Sequence, residues 1–146
     1  MRTVRICTFA VMLLLALGNL ASAGVPVPPD DIVELYANVS SGAQTEFVII
    51  DKAGHRGATP YVIPAGKVLI VTDAIITPNV ADGLYQGNVD NSGGSENRIR
   101  FRLHSSNQAM LHLPFSAGVV FSKAPLAFGF ATNPGAFVVR LLGYLN

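Results

Sequence analysis

The sequence contains one cysteine, no tryptophan and few charged residues. The cysteine, Cys7, is close to the N terminus, so the rest of the chain can form neither a disulfide framework nor a cysteine-based metal site. Charged residues make up 13% of the chain, and ten basic residues nearly balance nine acidic ones. This balance argues against a basic nucleic-acid binder. A length of 146 residues also argues against a multidomain protein.

The first 23 residues differ from the rest and are organised like a secretory signal peptide. Arg2 and Arg5 provide a positive region, and residues 9–17 form an uninterrupted apolar run. The Ala-Ser-Ala sequence at 21–23 supplies the small residues of a cleavage site. The apolar run is shorter than the roughly 20 residues of a membrane-spanning helix. We therefore expect cleavage near Ala23 and a secreted or periplasmic mature protein without an integral membrane segment.

The remainder divides into a short leader and one long domain. Residues 24–31 include three prolines, which disfavour a helix and predict an extended leader. Residues 32–146 alternate short β-branched or aromatic runs with proline- and glycine-containing turns, and no stretch keeps helical spacing over three turns. The pattern predicts an all-β fold with eight or nine short strands. Its expected architecture is a single antiparallel β-sandwich that is jelly-roll-like.

Two segments have a distinctive sequence: Tyr-Val-Ile-Pro-Ala-Gly-Lys-Val-Leu-Ile-Val-Thr-Asp-Ala at 61–74, and Val-Arg-Leu-Leu-Gly-Tyr-Leu at 139–145. Together they resemble a pattern that recurs in small secreted bacterial β-sandwich proteins of unassigned function. The resemblance implies the fold and an extracytoplasmic location, and it supplies no catalytic residues. The Pro-Ala-Gly turn is also similar to that of cupins. A metal-binding cupin would have a His-x-His pair soon afterwards, and this sequence has Val-Leu-Ile-Val at 68–71.

The strictest apolar–polar alternation occurs at residues 98–104. Apolar side chains at 99, 101 and 103 would face the core, and the residues between them would face solvent. We identify these outward residues as candidates for binding an anionic ligand: Arg98, Arg100, Arg102 and His104. Guanidinium groups spaced about 6.6 Å apart on one sheet face suit bidentate binding of sulfate, carboxylate or phosphate groups. The alternative is cross-strand pairing with Glu34, Glu46 or Asp73.

Sugar-binding modules with this architecture often stack aromatic side chains under a sugar ring. Tyrosine prefers half-exposed positions, which favours Tyr36, Tyr61 and Tyr85 as stacking residues. Near the C terminus, large apolar residues alternate with small ones: Leu126, Phe128 and Phe130 share one parity, with Ala127 and Gly129 on the other. Two interpretations stay open for this segment. In the first, the large residues form a core face. In the second, the segment is a subunit interface, where the small residues allow a neighbouring sheet to come close.

The polar loop at residues 90–97 contains the most suggestive catalytic motif. Asp-Asn-Ser-Gly-Gly at 90–94 resembles the Gly-Asp-Ser-Gly-Gly loop of chymotrypsin-like proteases, and His55 and Asp73 precede it in that family's order. However, Asn91 replaces an aspartate, and the chain is too short for the two barrels of that fold. The loop and Asp82 also offer oxygen ligands for calcium. A solvated glycine-rich turn is the remaining interpretation.

The sequence therefore favours a secreted, non-catalytic binding or structural module. Its three histidines lack the short spacings of a zinc-binding face, and neither a metal nor a cofactor is expected. The expected partner is a glycan or a protein rather than nucleic acid, with homo-oligomer formation left open. Two alternatives are retained: a small secreted hydrolase that uses the 90–96 loop with a histidine, and a self-assembling surface subunit.

Overall fold

The computed structural model describes residues 31–79, 82–91, 98–106, 109–132 and 136–146. These residues form ten β-strands and no helix. The strands are β1 (Ile32–Ser40), β2 (Gln44–Glu46), β3 (Val48–Ile50), β4 (Arg56–Pro60), β5 (Leu69–Pro78), β6 (Gly83–Asn91), β7 (Ile99–Ser105), β8 (Leu111–Phe121), β9 (Pro125–Ala131) and β10 (Ala136–Leu145).

The strands pair in a nested order that defines a jelly roll. One sheet has six strands in the order β4-β3-β1-β10-β5-β8, and the other has four in the order β2-β9-β6-β7. All pairs are antiparallel, and four of them nest one inside the next along the chain: β1 with β10, β2 with β9, β5 with β8 and β6 with β7. This is the pairing of one long hairpin rolled into two sheets. The predicted all-β antiparallel sandwich is confirmed.

The structure has ten strands where the sequence predicted eight or nine, and several strand boundaries differ from the expectation. The glycines of residues 52–59 predict a loop, but Arg56–Pro60 pairs with β3 and adds a hairpin to the six-stranded sheet. Gly54, with φ at +83°, makes the turn of that hairpin possible. In addition, the sequence predicts two short strands at 110–115 and 118–121, but Leu111–Phe121 forms one strand, β8, with a bulge near Gly118. Pro114 is tolerated there because β8 lies at a sheet edge.

Aromatic rings fill the space between the two sheets. The ring of Phe137, from the six-stranded sheet, meets Tyr85 and Phe101 of the four-stranded sheet edge-to-face, with centroids 6.0 and 5.5 Å apart. Phe47 and Phe121 are buried as well, together with aliphatic side chains from β1, β5 and β10. Burying one such ring stabilises a fold by about 1.5–3 kcal/mol. These rings therefore fix the distance between the sheets.

Two glycines make room for these rings on the inner side of the four-stranded sheet. Gly87 of β6 lies directly opposite Gly129 of β9 in the ladder. A Cβ atom on Gly129 would lie 2.5 Å from Cζ of Phe137, and one on Gly87 would lie 2.7 Å from Cζ of Phe101. Neither distance is possible in a real structure. The phenyl rings consequently rest on bare backbone.

We expect Gly129→Ala to destabilise the fold by about 1–3 kcal/mol, because the added methyl group overpacks the core against Phe137. Urea unfolding monitored by circular dichroism measures this change. The control is Gly57→Ala on β4, where the new Cβ atom would lie 3.3 Å from the Cγ2 methyl group of Ile49, an exposed side chain. A change within about 0.5 kcal/mol is expected there. Equal effects of the two substitutions would contradict the proposed packing.

Candidate ligand-binding face of the four-stranded sheet

The alternation predicted for residues 98–104 is present in the structure. Ile99 and Phe101 are buried between the sheets, and Leu103 packs partly against the core. The four predicted site residues are exposed on the outer surface of the four-stranded sheet: Arg98, Arg100, Arg102 and His104. Because β7 is an edge strand, these side chains line one margin of that surface.

The four basic side chains differ in their partners. The Arg98 Nε atom lies 2.5 Å from the Asp90 Oδ1 atom, and Asn88 donates to the other carboxylate oxygen at 2.6 Å. Within the described ranges, no carboxylate pairs with Arg100 or Arg102. Two guanidinium groups therefore face solvent with their hydrogen-bond donors available.

The expected cross-strand partners of these arginines lie elsewhere. Glu34 pairs with Arg140, and Asp73 pairs with His112, both on the six-stranded sheet. Glu46 lies on β2, at the opposite edge of the four-stranded sheet from β7. Three strand spacings, or about 14 Å, separate β2 from β7. The alternative of cross-strand pairing with these three acids is thus wrong.

Strand β9 presents its large residues outward. Ala127 is buried, and Gly129 carries the Phe137 ring, so the small residues face the core. Leu126 and Phe128 are partly exposed, and Phe130 is 49% exposed. The interpretation of the large residues as a core face is therefore wrong. The physical reason is that the rings of Phe101 and Phe137 already occupy the inner space.

The strand register places an apolar side chain, a polar side chain and an arginine in successive rows across the sheet. One row is Phe130, Gln86 and Arg102, and the next is Phe128, Asn88 and Arg100. A third row contains Leu126 and Asp90, with Arg98 bonded to Asp90. We call this surface the basic–aromatic face. Its residues are Gln86, Asn88, Asp90, Arg98, Arg100, Arg102, His104, Leu126, Phe128 and Phe130.

A shallow groove of about 310 Å³ runs over the centre of the basic–aromatic face. Its walls include Phe128 and Phe130 on one side and Arg100 and Arg102 on the other. The two phenyl rings pack edge-to-face with centroids 5.0 Å apart, which fixes their orientation. The apolar and cationic walls are two strand spacings apart, about 10 Å. A ligand in the groove would contact both walls at once.

The basic margin of this face could be predicted from the sequence, but the rest of the face could not. The amides of Gln86 and Asn88 lie on β6, whose alternation is interrupted by glycines. The sequence shows that Phe128 shares one parity with Leu126 and Phe130, but the outward direction of these side chains depends on distant residues. A usable signal was Gly129, since glycine inside a strand often marks a close backbone approach.

The three tyrosines predicted to stack on sugars are not exposed rings. Tyr85 is completely buried against Phe137, so its proposed role is wrong. Tyr36 is half-buried, and the guanidinium of Arg56 covers its ring, 3.7 Å from the centroid. Tyr61 packs against the core, and burial raises the pKa of its hydroxyl. Tyrosine content alone could not distinguish core positions from surface positions.

The residues proposed for a catalytic site are only partly described. Ser92 and Glu96 lie outside the described residues, so the hydrolase and calcium alternatives stay predictions. His104 pairs with Leu84, six residues along β6 from Asp90, a separation of roughly 20 Å. His55 contacts Asp51 in a hairpin turn, away from Asp73. Across the described ranges, no three histidine, cysteine or acidic side chains cluster as metal ligands would.

Comparison of the chain with protein-family models, with curated proteins and with solved structures found no match. Within the part of the chain that the structure describes, no helix has the length and apolarity needed to cross a bilayer. The chemistry of the surface residues therefore provides the evidence for function.

On the outer surface of the six-stranded sheet, Asp73 and His112 form a hydrogen-bonded pair. The His112 Nε2 atom lies 2.7 Å from the Asp73 Oδ1 atom. This bond is the largest cause that holds the pKa of Asp73 below its ordinary value. A carboxylate with a lowered pKa stabilises the fold above pH 3.8, its ordinary pKa, and loses that effect as the pH falls through the lowered value.

We expect Asp73→Asn to lower the free energy of unfolding more at pH 6 than at pH 3. The difference should stay below about 1 kcal/mol, because the pair is partly exposed and screened by water. Urea unfolding of both proteins at the two pH values measures it. The same loss at both pH values would show that the Asp73 charge does not contribute.

Proposed function

We propose that the protein is an extracytoplasmic, non-catalytic module that binds an acidic polysaccharide on its basic–aromatic face. One observation carries the proposal: β9 turns Phe128 and Phe130 outward beside two arginines that have no carboxylate partner among the described residues. Because Phe130 is half-exposed, the fold lacks about 1 kcal/mol of the stabilisation that full burial of this side chain would provide. Exposed aromatic rings with a polar margin are typical of a binding surface.

The chemistry of the two rows that contain Arg100 and Arg102 matches that of an acidic sugar. A sugar ring has an apolar face, which suits the phenyl rings of Phe128 and Phe130. Its hydroxyl groups both donate and accept hydrogen bonds, and the amides of Gln86 and Asn88 do the same. Carboxylate or sulfate substituents suit the guanidinium groups of Arg100 and Arg102. Repetition of these groups along the strands suits a polymer.

Other polymers fit this face less well. A nucleic-acid platform also combines rings with cations, but it neutralises many phosphates and is usually strongly basic. Here the residues after the predicted cleavage site hold eight basic and nine acidic side chains, so long-range attraction of a polyanion is weak. Binding by this face would therefore depend on short-range contacts.

The predicted export of the protein is consistent with this role. A signal peptide at 1–23 would deliver the domain to a compartment where envelope or matrix polysaccharides occur. A domain without cysteine past residue 7 also needs no oxidative folding there.

Self-association through the same face is a second candidate, because Phe130 is exposed and the neighbouring Leu126 and Phe128 are partly exposed. Static light scattering of the mature protein from 1 to 100 μM tests it. A mass that rises with concentration in the wild type, but not in Phe130→Ala, would favour this candidate over polysaccharide binding.

We expect Arg102→Ala to reduce retention on a heparin column. Loss of one charged contact should lower the eluting salt concentration and reduce the slope of log Kd against log salt by about one. Lys67→Ala, which removes an equal charge near Asp31, is the matched control and should elute like the wild type. Equal shifts for the two variants would show that only net charge matters.

We expect Phe130→Ala to weaken binding to a heparin hexasaccharide by about tenfold, which corresponds to about 1.4 kcal/mol. The loss arises because the sugar ring no longer packs on an aromatic surface. Phe130→Tyr should retain most of the affinity. Val120→Ala, on the outer surface of the other sheet, is the control for loss of an exposed apolar side chain. Titration calorimetry gives the affinities, and unchanged affinity in Phe130→Ala would contradict the proposed contact.

A further inference from the structure

The six-stranded sheet has a groove of its own, on the opposite surface of the molecule. It has a volume of about 480 Å³, within the usual range for small-molecule sites. Its walls come from β1, β10, β5 and the β3–β4 hairpin. The residues that line it include Glu34, Tyr36, Asp51, Arg56 and Arg140. We call it the hairpin groove.

The charged groups of the hairpin groove are unequally satisfied. The Glu34 carboxylate is bonded to Arg140 on the neighbouring strand. Asp51 accepts hydrogen bonds from the backbone N–H groups of Ala53 and His55, which hold the hairpin turn. These bonds, chiefly the one from His55, also lower the pKa of Asp51. Both acids are therefore occupied within the protein.

Arg56 is the exception in the hairpin groove. Its guanidinium group lies over the Tyr36 ring, 3.7 Å from the centroid, and forms no ion pair with any described carboxylate. Stacking on an aromatic ring fixes the plane of a guanidinium group while its N–H donors point outward around the edge. Such a group is pre-organised to bind a carboxylate or sulfate in bidentate fashion.

The two grooves lie on opposite outer surfaces of the sandwich. Packed sheets are about 10 Å apart, and the side chains of the two grooves extend away from the core in opposite directions. A straight polymer segment that lies on one sheet cannot also contact the other. Simultaneous occupation therefore requires two polymer segments.

We propose that the protein cross-links acidic polysaccharide chains, with one chain on the basic–aromatic face and a second in the hairpin groove. The proposal rests on the proposed function of the first face and adds a second site around Arg56. A single sandwich domain then joins two chains without forming a dimer.

The test combines stoichiometry with agglutination. Native mass spectrometry with a heparin hexasaccharide should show two ligands per wild-type chain, and heparin-coated beads should agglutinate. Arg56→Ala and Arg56→Gln should each bind one hexasaccharide and fail to agglutinate beads. The Arg100→Ala/Arg102→Ala double variant should also bind one, in the hairpin groove. Lys67→Ala should behave like the wild type in both measurements.

The other outcomes separate the two proposals. One hexasaccharide in the wild type, lost in the Arg100/Arg102 variant, would overturn cross-linking and leave the proposed function standing. Agglutination that persists in both Arg56 variants would assign bridging to self-association and also overturn the inference. One hexasaccharide that only the Arg56 variants lose would overturn both proposals, as would no binding at all.

Discussion

The packing of Phe101 and Phe137 on the bare backbone of Gly87 and Gly129 determines which residues lie on the inner and outer surfaces of the four-stranded sheet. The rings fill the interior above β6 and β9, so β9 has room inside only for small residues. Its large residues must then face outward, whatever their cost in exposed apolar area. The same register places amides and arginines beside them in two rows, and Asp90 with Arg98 in a third. A steric requirement of the core thus produces the asymmetry of the outer surface, where the candidate binding groups lie.

The two sheets use charge in different ways. On the four-stranded sheet, the cations lie along an edge strand, and Asp90 neutralises only Arg98 among them. On the six-stranded sheet, acids and bases alternate between neighbouring strands: Glu34 bonds to Arg140, and Asp73 bonds to His112. Paired groups of this kind gain little from a charged ligand, because an existing partner must be displaced. Arg56 differs because an aromatic ring supports it and no described acid pairs with it.

Features of the structure that depend on neighbouring residues could be predicted from the sequence, and those that depend on distant residues could not. The faces of β7 could be predicted because basic and apolar residues alternate without exception from 98 to 104. On β9 the same parity was visible, but its direction depends on rings from β7 and β10, which no local pattern reveals. Tyr85 was misplaced for a similar reason, since its neighbour Phe137 is 52 positions away. No pattern in the sequence predicts the hairpin groove. It joins Tyr36, Arg56 and Arg140, and Arg56 lies in a segment that the sequence predicted to be a loop.

The nested pairing of strands also constrains how the chain folds. β1 forms its longest ladder with β10. The first described strand therefore cannot complete its hydrogen bonds until residues about a hundred positions later are present. β10 lies between β1 and β5 and supplies hydrogen bonds to both. Folds dominated by such distant contacts form slowly, because the entropy of closing large loops is lost before the contacts are gained. The six-stranded sheet therefore cannot close while its last strand is missing. A nascent chain without β10 would leave this sheet open, a state in which a polypeptide can be threaded through a narrow channel.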